Sequence, residues 1–133
     1  MSQEALRIVS QQIRAYREGD AELAASLFDS HAVVDMSRVG VVEAAAFGRA
    51  EINRLVGSFR GAFDAYDYET ADLVDVGGNT IVAVVHEHGR GKASGVPVDR
   101  HLGVVYNVVG DKITRVTAFP TKEAALEAVG LPE

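Results

Sequence analysis

The chain has 133 residues, 47% of them hydrophobic and 24% charged, with a formal net charge of −6. That length suits a single domain, residues 1–133, able to bury a core without staples, and the composition excludes a disordered chain. The acidic balance with scattered basic residues argues against a nucleic-acid partner, and the lack of cysteine removes disulfides, thiolate metal ligands and a cysteine nucleophile.

No apolar run reaches the ~18 residues of a membrane span. The opening Met1-Ser2-Gln3-Glu4-Ala5 has no basic-then-apolar secretory pattern. The expectation is a cytoplasmic protein with no membrane contact.

Leu6, Val9, Ile13 and Tyr16 recur at three- and four-residue spacings, which predicts an amphipathic helix near 3–17. Gly19-Asp20 ends it, and Asp20 is placed to cap a second, short helix with Leu23, Leu27 and Phe28 on its buried face. His31 to Met36 reads as a short strand, because adjacent β-branched residues favour extended backbone. Val39 to Phe47 is apolar without a period and reads as loop. From Arg49 to Phe63 a stripe of Ile52, Leu55, Val56, Phe59 and Phe63 predicts a third helix.

Tyr66 to Asp75 reads as a strand, and Gly77-Gly78-Asn79 as a turn into a long strand beginning at Thr80. Val98 to Val108 and Ile113 to Phe119 follow, joined at Gly110-Asp111. Pro120 stops the last strand, and Thr121 caps a helix Lys122 to Val129. Gly130, Leu131 and Pro132 then form a helix stop.

The strand from Thr80 is apolar on both rows and then abruptly ionisable at His86-Glu87-His88-Gly89-Arg90. A strand apolar on both faces must be covered on both. Polar groups continuing one row therefore satisfy each other in the interior or line a cavity. If the hairpin closes around Ala93-Ser94, Glu87 sits opposite Arg100, His88 opposite Asp99 and His86 opposite His101, so that each charge meets a partner. His86, His88, His101, Asp99 and Arg90 then share one face. A looser loop pairs His88 with Arg100 instead.

The functional reading of this cluster is a general acid/base site in which Asp99 or Asp35 orients a histidine, since imidazole titrates near neutrality. The bland reading is an ion-pair ladder at a rim or a dimer interface. A three-histidine metal site from His86, His88 and His101 is the less favoured alternative, and no metal is expected. His31 reads as a surface or capping residue. Tyr16 lies on the apolar stripe of its helix, and its hydroxyl needs a partner if buried.

Helix, short helix, strand, helix and then long antiparallel strands form an α+β arrangement with helices gathered on one side of a curved sheet. Several stretches carry a family resemblance. They are Tyr16-Arg17-Glu18-Gly19-Asp20, Phe47-Gly48-Arg49-Ala50-Glu51-Ile52, His88-Gly89-Arg90-Gly91, Gly110-Asp111-Lys112-Ile113 and Phe119-Pro120-Thr121-Lys122-Glu123-Ala124-Ala125-Leu126. Over nearly its whole length the chain resembles the nuclear-transport-factor-two-like superfamily, and within it the SnoaL-like group named for polyketide cyclases.

The resemblance implies a cone-like curved antiparallel sheet wrapped around a pocket, with three N-terminal helices and a short C-terminal helix. It also implies a homodimer, no cofactor and a small hydrophobic ligand. Relatives on this scaffold include isomerases, dehydratases, epoxide hydrolases, cyclases and non-catalytic binders.

The catalytic patterns of these relatives transfer only in part. A base like that of ketosteroid isomerases falls on Asp35 or Met36, according to a one-residue register. The second acid of those isomerases falls near Leu102-Gly103, where no acid exists, and their phenol near Gln12. Tyr16 matches the tyrosine of scytalone-dehydratase-like enzymes, with Arg17 replacing the aspartate, and His86 or His88 with His101 could match their histidines. The Asp-Arg-Asp triad of limonene-epoxide-hydrolase-like enzymes is absent.

The resulting expectation is cofactor-independent proton transfer on a small hydrophobic or polycyclic ketone. His88 or His86 serves as acid/base, Tyr16 as hydrogen-bond donor and Asp35 or Asp99 as partner carboxylate. Arg90, His101, Tyr106 and Met36 bind substrate. The alternatives are a non-catalytic small-molecule binder and a dimerisation module.

Overall fold

The computed structural model describes residues 2–39, 45–61 and 63–130, and the side chains of 3–39, 48–54, 61 and 67–130. Helix α1 (Ser2–Glu18) buries Ala5, Ile8, Val9 and Ile13 along one stripe. Gly19 takes φ +79°, which releases the chain from the helix. The Asp20 carboxylate then accepts the Leu23 N–H at 3.1 Å and caps α2 (Ala21–Ser26). α2 buries Ala24, whereas Leu23 is 37% exposed, contrary to the expected apolar face. Six residues make too few turns to present a stripe.

Strand β1 (Phe28–Asp35) leads into a 3-10 turn (Ser37–Val39). A three-residue strand β2 (Ala45–Phe47) forms where the sequence shows no period, and it pairs with β1. Helix α3 (Gly48–Gly61) buries Ile52, and the expected stripe side chains Leu55, Val56, Phe59 and Phe63 lie outside the described residues. Strands β3 (Phe63–Asp75), β4 (Thr80–Gly91), β5 (Pro97–Val109) and β6 (Lys112–Phe119) follow, each paired antiparallel with the next. Helix α4 (Lys122–Ala128) is capped by the Thr121 hydroxyl, which accepts the Ala124 N–H at 3.0 Å. Gly130 takes φ +83° after it, and Leu131 and Pro132 lie outside the described residues. Among the described residues no helix is long and apolar enough to cross a membrane.

The six strands form one sheet in the order β2-β1-β6-β5-β4-β3. This corrects the expectation of a cone-like antiparallel sheet wrapped around a pocket. The sheet is open, with β2 and β3 as edges that do not pair with one another among the described residues, and it is mixed, because β1 runs parallel to β6. The physical reason lies in the connections. Tight turns impose antiparallel pairing from β3 to β6, but no local turn dictates where β1 docks.

Both faces of the sheet are covered in part, as a strand apolar on both rows requires. Ile81, Ala83 and Val85 of β4 pack with Leu102, Val104 and Tyr106 of β5 against α1 and Ile52 of α3. Val82 and Val105 pack on the other side against Ala125 and Leu126 of α4. α4 lies so close that a Cβ on Gly103 would stand 2.6 Å from the Thr121 carbonyl oxygen.

Candidate functional site

Alternation along β4 sends Glu87 to the α1 side and His86 and His88 to the α4 side. The hairpin register is the one that charge pairing favours: Glu87 opposite Arg100, His88 opposite Asp99 and His86 opposite His101. The looser pairing of His88 with Arg100 is not adopted.

On the α1 side Glu87 is 1% exposed. Arg100 Nε donates to its Oε1 at 2.5 Å, and Arg100 Nη1 donates to the Val39 carbonyl at 2.9 Å. One guanidinium thereby ties β4 and β5 to the turn after β1. Tyr68, the β3 neighbour of Glu87, meets the Tyr16 ring in a T-shaped contact, with centroids 5.2 Å apart at 79°. Tyr68 also hydrogen-bonds Tyr106, which is 3% exposed. Burial pushes the Tyr106 phenol up to about 12 despite that bond, so it stays protonated as a neutral donor.

A groove of about 510 Å³ runs between α1 and β3, walled by Ser10, Ile13, Arg17, Asp67, Thr70 and Leu73 among others. The Thr70 hydroxyl in its wall is buried without a hydrogen-bond partner. Thr70 sits where the β3–β4 register shifts, so its surroundings are not those of a regular strand residue. Arg17 spans Asp67 in two hydrogen bonds, Nε to Oδ1 at 3.2 Å and Nη2 to Oδ2 at 3.1 Å. Burial raises the Asp67 pKa, but the bonds from Arg17 and the Tyr68 N–H outweigh it and hold the carboxyl below its usual range.

On the α4 side the register aligns two rows across three strands: Glu69, His86 and His101, then Asp67, His88 and Asp99. His86 Nε2 lies 2.7 Å from Asp99 Oδ1, and the His86 and His101 rings stack with centroids 4.3 Å apart at 8°. His88 Nε2 stands 3.7 Å from Glu69 Oε1 and 3.9 Å from Asp67 Oδ2. The hydrogen bond from His86 lowers the Asp99 pKa, against a smaller effect of desolvation. Arg90 does not reach these groups; its Nη1 donates to the Gly95 carbonyl at 2.7 Å and staples the hairpin loop.

The sequence candidates therefore fall into four places, Arg90 at the hairpin loop being one. Tyr16, Tyr106 and Met36 lie on the α1 side, where Met36 packs against the main core. His86, His88, His101 and Asp99 lie on the opposite face, and Asp67 at the β3 edge stands between the two groups, bonded by Arg17 of α1 and 3.9 Å from His88 Nε2. Asp35 joins neither: Ser37 donates to its Oδ1 from Oγ at 2.7 Å and from N at 3.0 Å, and Arg38 donates to Oδ2 at 3.1 Å. The ambiguous register thus resolves with Met36 toward the core and Asp35 closing a turn. Sequence reasoning did not single out Glu69, Thr70 or the Arg17–Asp67 clamp. The pairing of Glu87 with Arg100 was signalled, but its burial was not.

The Ser37 hydrogen bonds, helped by Arg38, hold the Asp35 carboxyl below the usual carboxylate range. A depressed folded-state pKa contributes stability that is present above the unfolded value and is lost as pH falls through the folded one. Urea unfolding followed from pH 5 downward should show Asp35→Asn losing less stability than the parent. Parallel acid limbs would refute the assignment.

The fold as a class is shared widely among solved structures. It is similar to a protein from a soil-derived mobile gene cassette (TM-score 0.81, 14% identity, 88% of each chain covered). It is also similar to an NTF2-like protein from Burkholderia xenovorans LB400 (TM-score 0.77, 16% identity, 96% of this chain and 97% of the other). A third is a Mycobacterium tuberculosis protein solved with estradiol-17beta-hemisuccinate (TM-score 0.76, 14% identity, 87% and 92% covered). Among curated proteins no sequence matches significantly. The SnoaL-like domain model matches residues 9–116, and the chain belongs to that family.

Proposed function

We propose that the chain binds a small hydrophobic, carbonyl-bearing molecule in the α1–β3 groove and catalyses cofactor-independent proton transfer on it: isomerisation, dehydration or cyclisation. The observation that carries this reading is the buried Thr70 hydroxyl without a partner in the wall of a groove of about 510 Å³. A buried polar group left unsatisfied costs about 1–3 kcal/mol, which a ligand oxygen or N–H would relieve. Ile13 and Leu73 supply apolar wall, and Tyr16, which precedes the lining Arg17 on α1, is the phenol assigned to the carbonyl oxygen. Asp67 is kept ionised by Arg17 and is the carboxylate assigned to accept the proton. The steroid ester bound by the M. tuberculosis relative supports a hydrophobic ligand of polycyclic size. A homodimer is proposed on family grounds, to be checked by light scattering.

A second reading, a non-catalytic carrier, is favoured by one observation: the three imidazoles of the central hairpin, His86, His88 and His101, lie on the sheet face away from Tyr16. Two measurements separate the readings. Titration with estradiol-17beta-hemisuccinate should show saturable binding, about tenfold weaker in Thr70→Val and abolished in Ser10→Trp, which fills the groove. Equal binding by Ser10→Trp would overturn the groove as the site. In deuterated water, an enolisable cyclic ketone should exchange its α-protons faster with the protein than in buffer. That gain should vanish in Asp67→Asn and fall about tenfold in Tyr16→Phe. Binding without exchange would remove the chemistry and leave the carrier.

A further inference from the structure

We infer that Glu69, His86 and His88 form a binding site for one divalent first-row cation, zinc in the first instance, on the α4-side face of the sheet. One ligand atom from each of these three residues lies within 4.8 Å of the others. Ligands at about 2.0–2.1 Å around a tetrahedral zinc stand roughly 3.3 Å apart, so the three side chains need to close by up to about 1.5 Å. His88 Nε2 and Glu69 Oε1 are already 3.7 Å apart.

Three features distinguish this cluster from an ion-pair ladder. The first is backbone placement. Glu69 sits directly opposite His86 in the β3–β4 pairing, and His88 follows two residues on, so regular strands rather than a loop present all three ligands to one face. The second is the support around His86. Asp99 Oδ1 lies 2.7 Å from His86 Nε2, which places the proton of the neutral ring on Nε2 and leaves the Nδ1 lone pair for a metal. A carboxylate behind a ligating histidine is the common way to fix its tautomer and raise its basicity. His101, stacked at 4.3 Å and 8°, holds the plane of that ring.

The third feature concerns His88. Its Nε2 lies near two carboxylates, Glu69 at 3.7 Å and Asp67 at 3.9 Å, yet both separations exceed a hydrogen bond. An imidazole serving only as an acid's partner would close that distance. Asp67 is already held by Arg17, so Glu69 is the carboxylate left beside His88 to share a doubly charged cation with it. Two histidines and one carboxylate satisfy zinc while leaving a fourth position to water, and Glu69 is exposed enough to admit the ion from solvent.

The test uses the full chain, stripped with chelator and titrated with zinc against a fluorescent competitor. One ion per chain is expected, with affinity at least tenfold weaker in His88→Ala and in Glu69→Gln. Asp99→Asn should weaken it by about tenfold through the orientation of His86 alone. His31→Ala, an exposed histidine outside the cluster, should bind as the parent does. Cobalt substitution provides a readout independent of the variants: visible bands of a tetrahedral or five-coordinate ion should appear in the parent. Failure to bind one zinc per chain, unchanged affinity in His88→Ala, or an octahedral cobalt spectrum would each overturn the site.

Discussion

Replacing Arg100 by alanine is expected to cost about 3 kcal/mol of folding stability, measured as a fall in the urea midpoint at neutral pH. Glu87 is 1% exposed, and the substitution removes the guanidinium that donates to it at 2.5 Å. Removing one partner of a buried ion pair typically costs about 3–5 kcal/mol, because the remaining charge stays in a poorly solvating interior. The lower end applies here, since the Arg100 side chain is 33% exposed and water screens part of the effect. The same guanidinium also holds the Val39 carbonyl, so the turn after β1 loosens with it. Glu87→Gln should be milder, at about 1 kcal/mol, because the amide oxygen still accepts from Nε. If Arg100→Ala lost under 1 kcal/mol, the pair would not be a structural tie between β4, β5 and the turn.

Gly103→Val should destabilise by about 2–3 kcal/mol through crowding alone. A Cβ at this position would meet the Thr121 carbonyl oxygen at 2.6 Å, the Ala125 Cβ at 2.7 Å and the Lys122 Cα at 3.0 Å. All three atoms belong to α4 or its cap, and two are backbone, so none can swing aside. The helix must lift from β5, uncovering Val82 and Val105. Thermal unfolding should record the loss, with amide exchange rising selectively in α4. Unchanged stability would show that α4 is not seated on this glycine.

The hairpin register was legible in the chain because complementary side chains, Glu87 with Arg100 and His88 with Asp99, agree on one alignment. Which row faces α1 was not. Both rows of β4 are apolar, Ile81, Ala83 and Val85 on one side and Val82 and Val84 on the other, so alternation carries no inside–outside contrast. Glu87 and His86 consequently read alike, although one is sealed in and the other half-exposed. The Asp20 and Thr121 caps were legible because each satisfies a specific backbone N–H three residues on. The groove was not, since it depends on a shift in register at Thr70 and on Arg17 meeting Asp67 from a distant helix. Neither leaves a local pattern.

The alignment of β1 beside β6 has a kinetic consequence. Val33 pairs with Arg115, roughly 80 residues downstream, so the centre of the sheet cannot close until that distant segment has been synthesised. Until then the nascent chain displays the bare flank of β1 as a template for wrong partners, and a ribosome pausing before residue 112 would prolong that hazard. The hairpins from β3 onward, by contrast, join near neighbours and can assemble as they emerge.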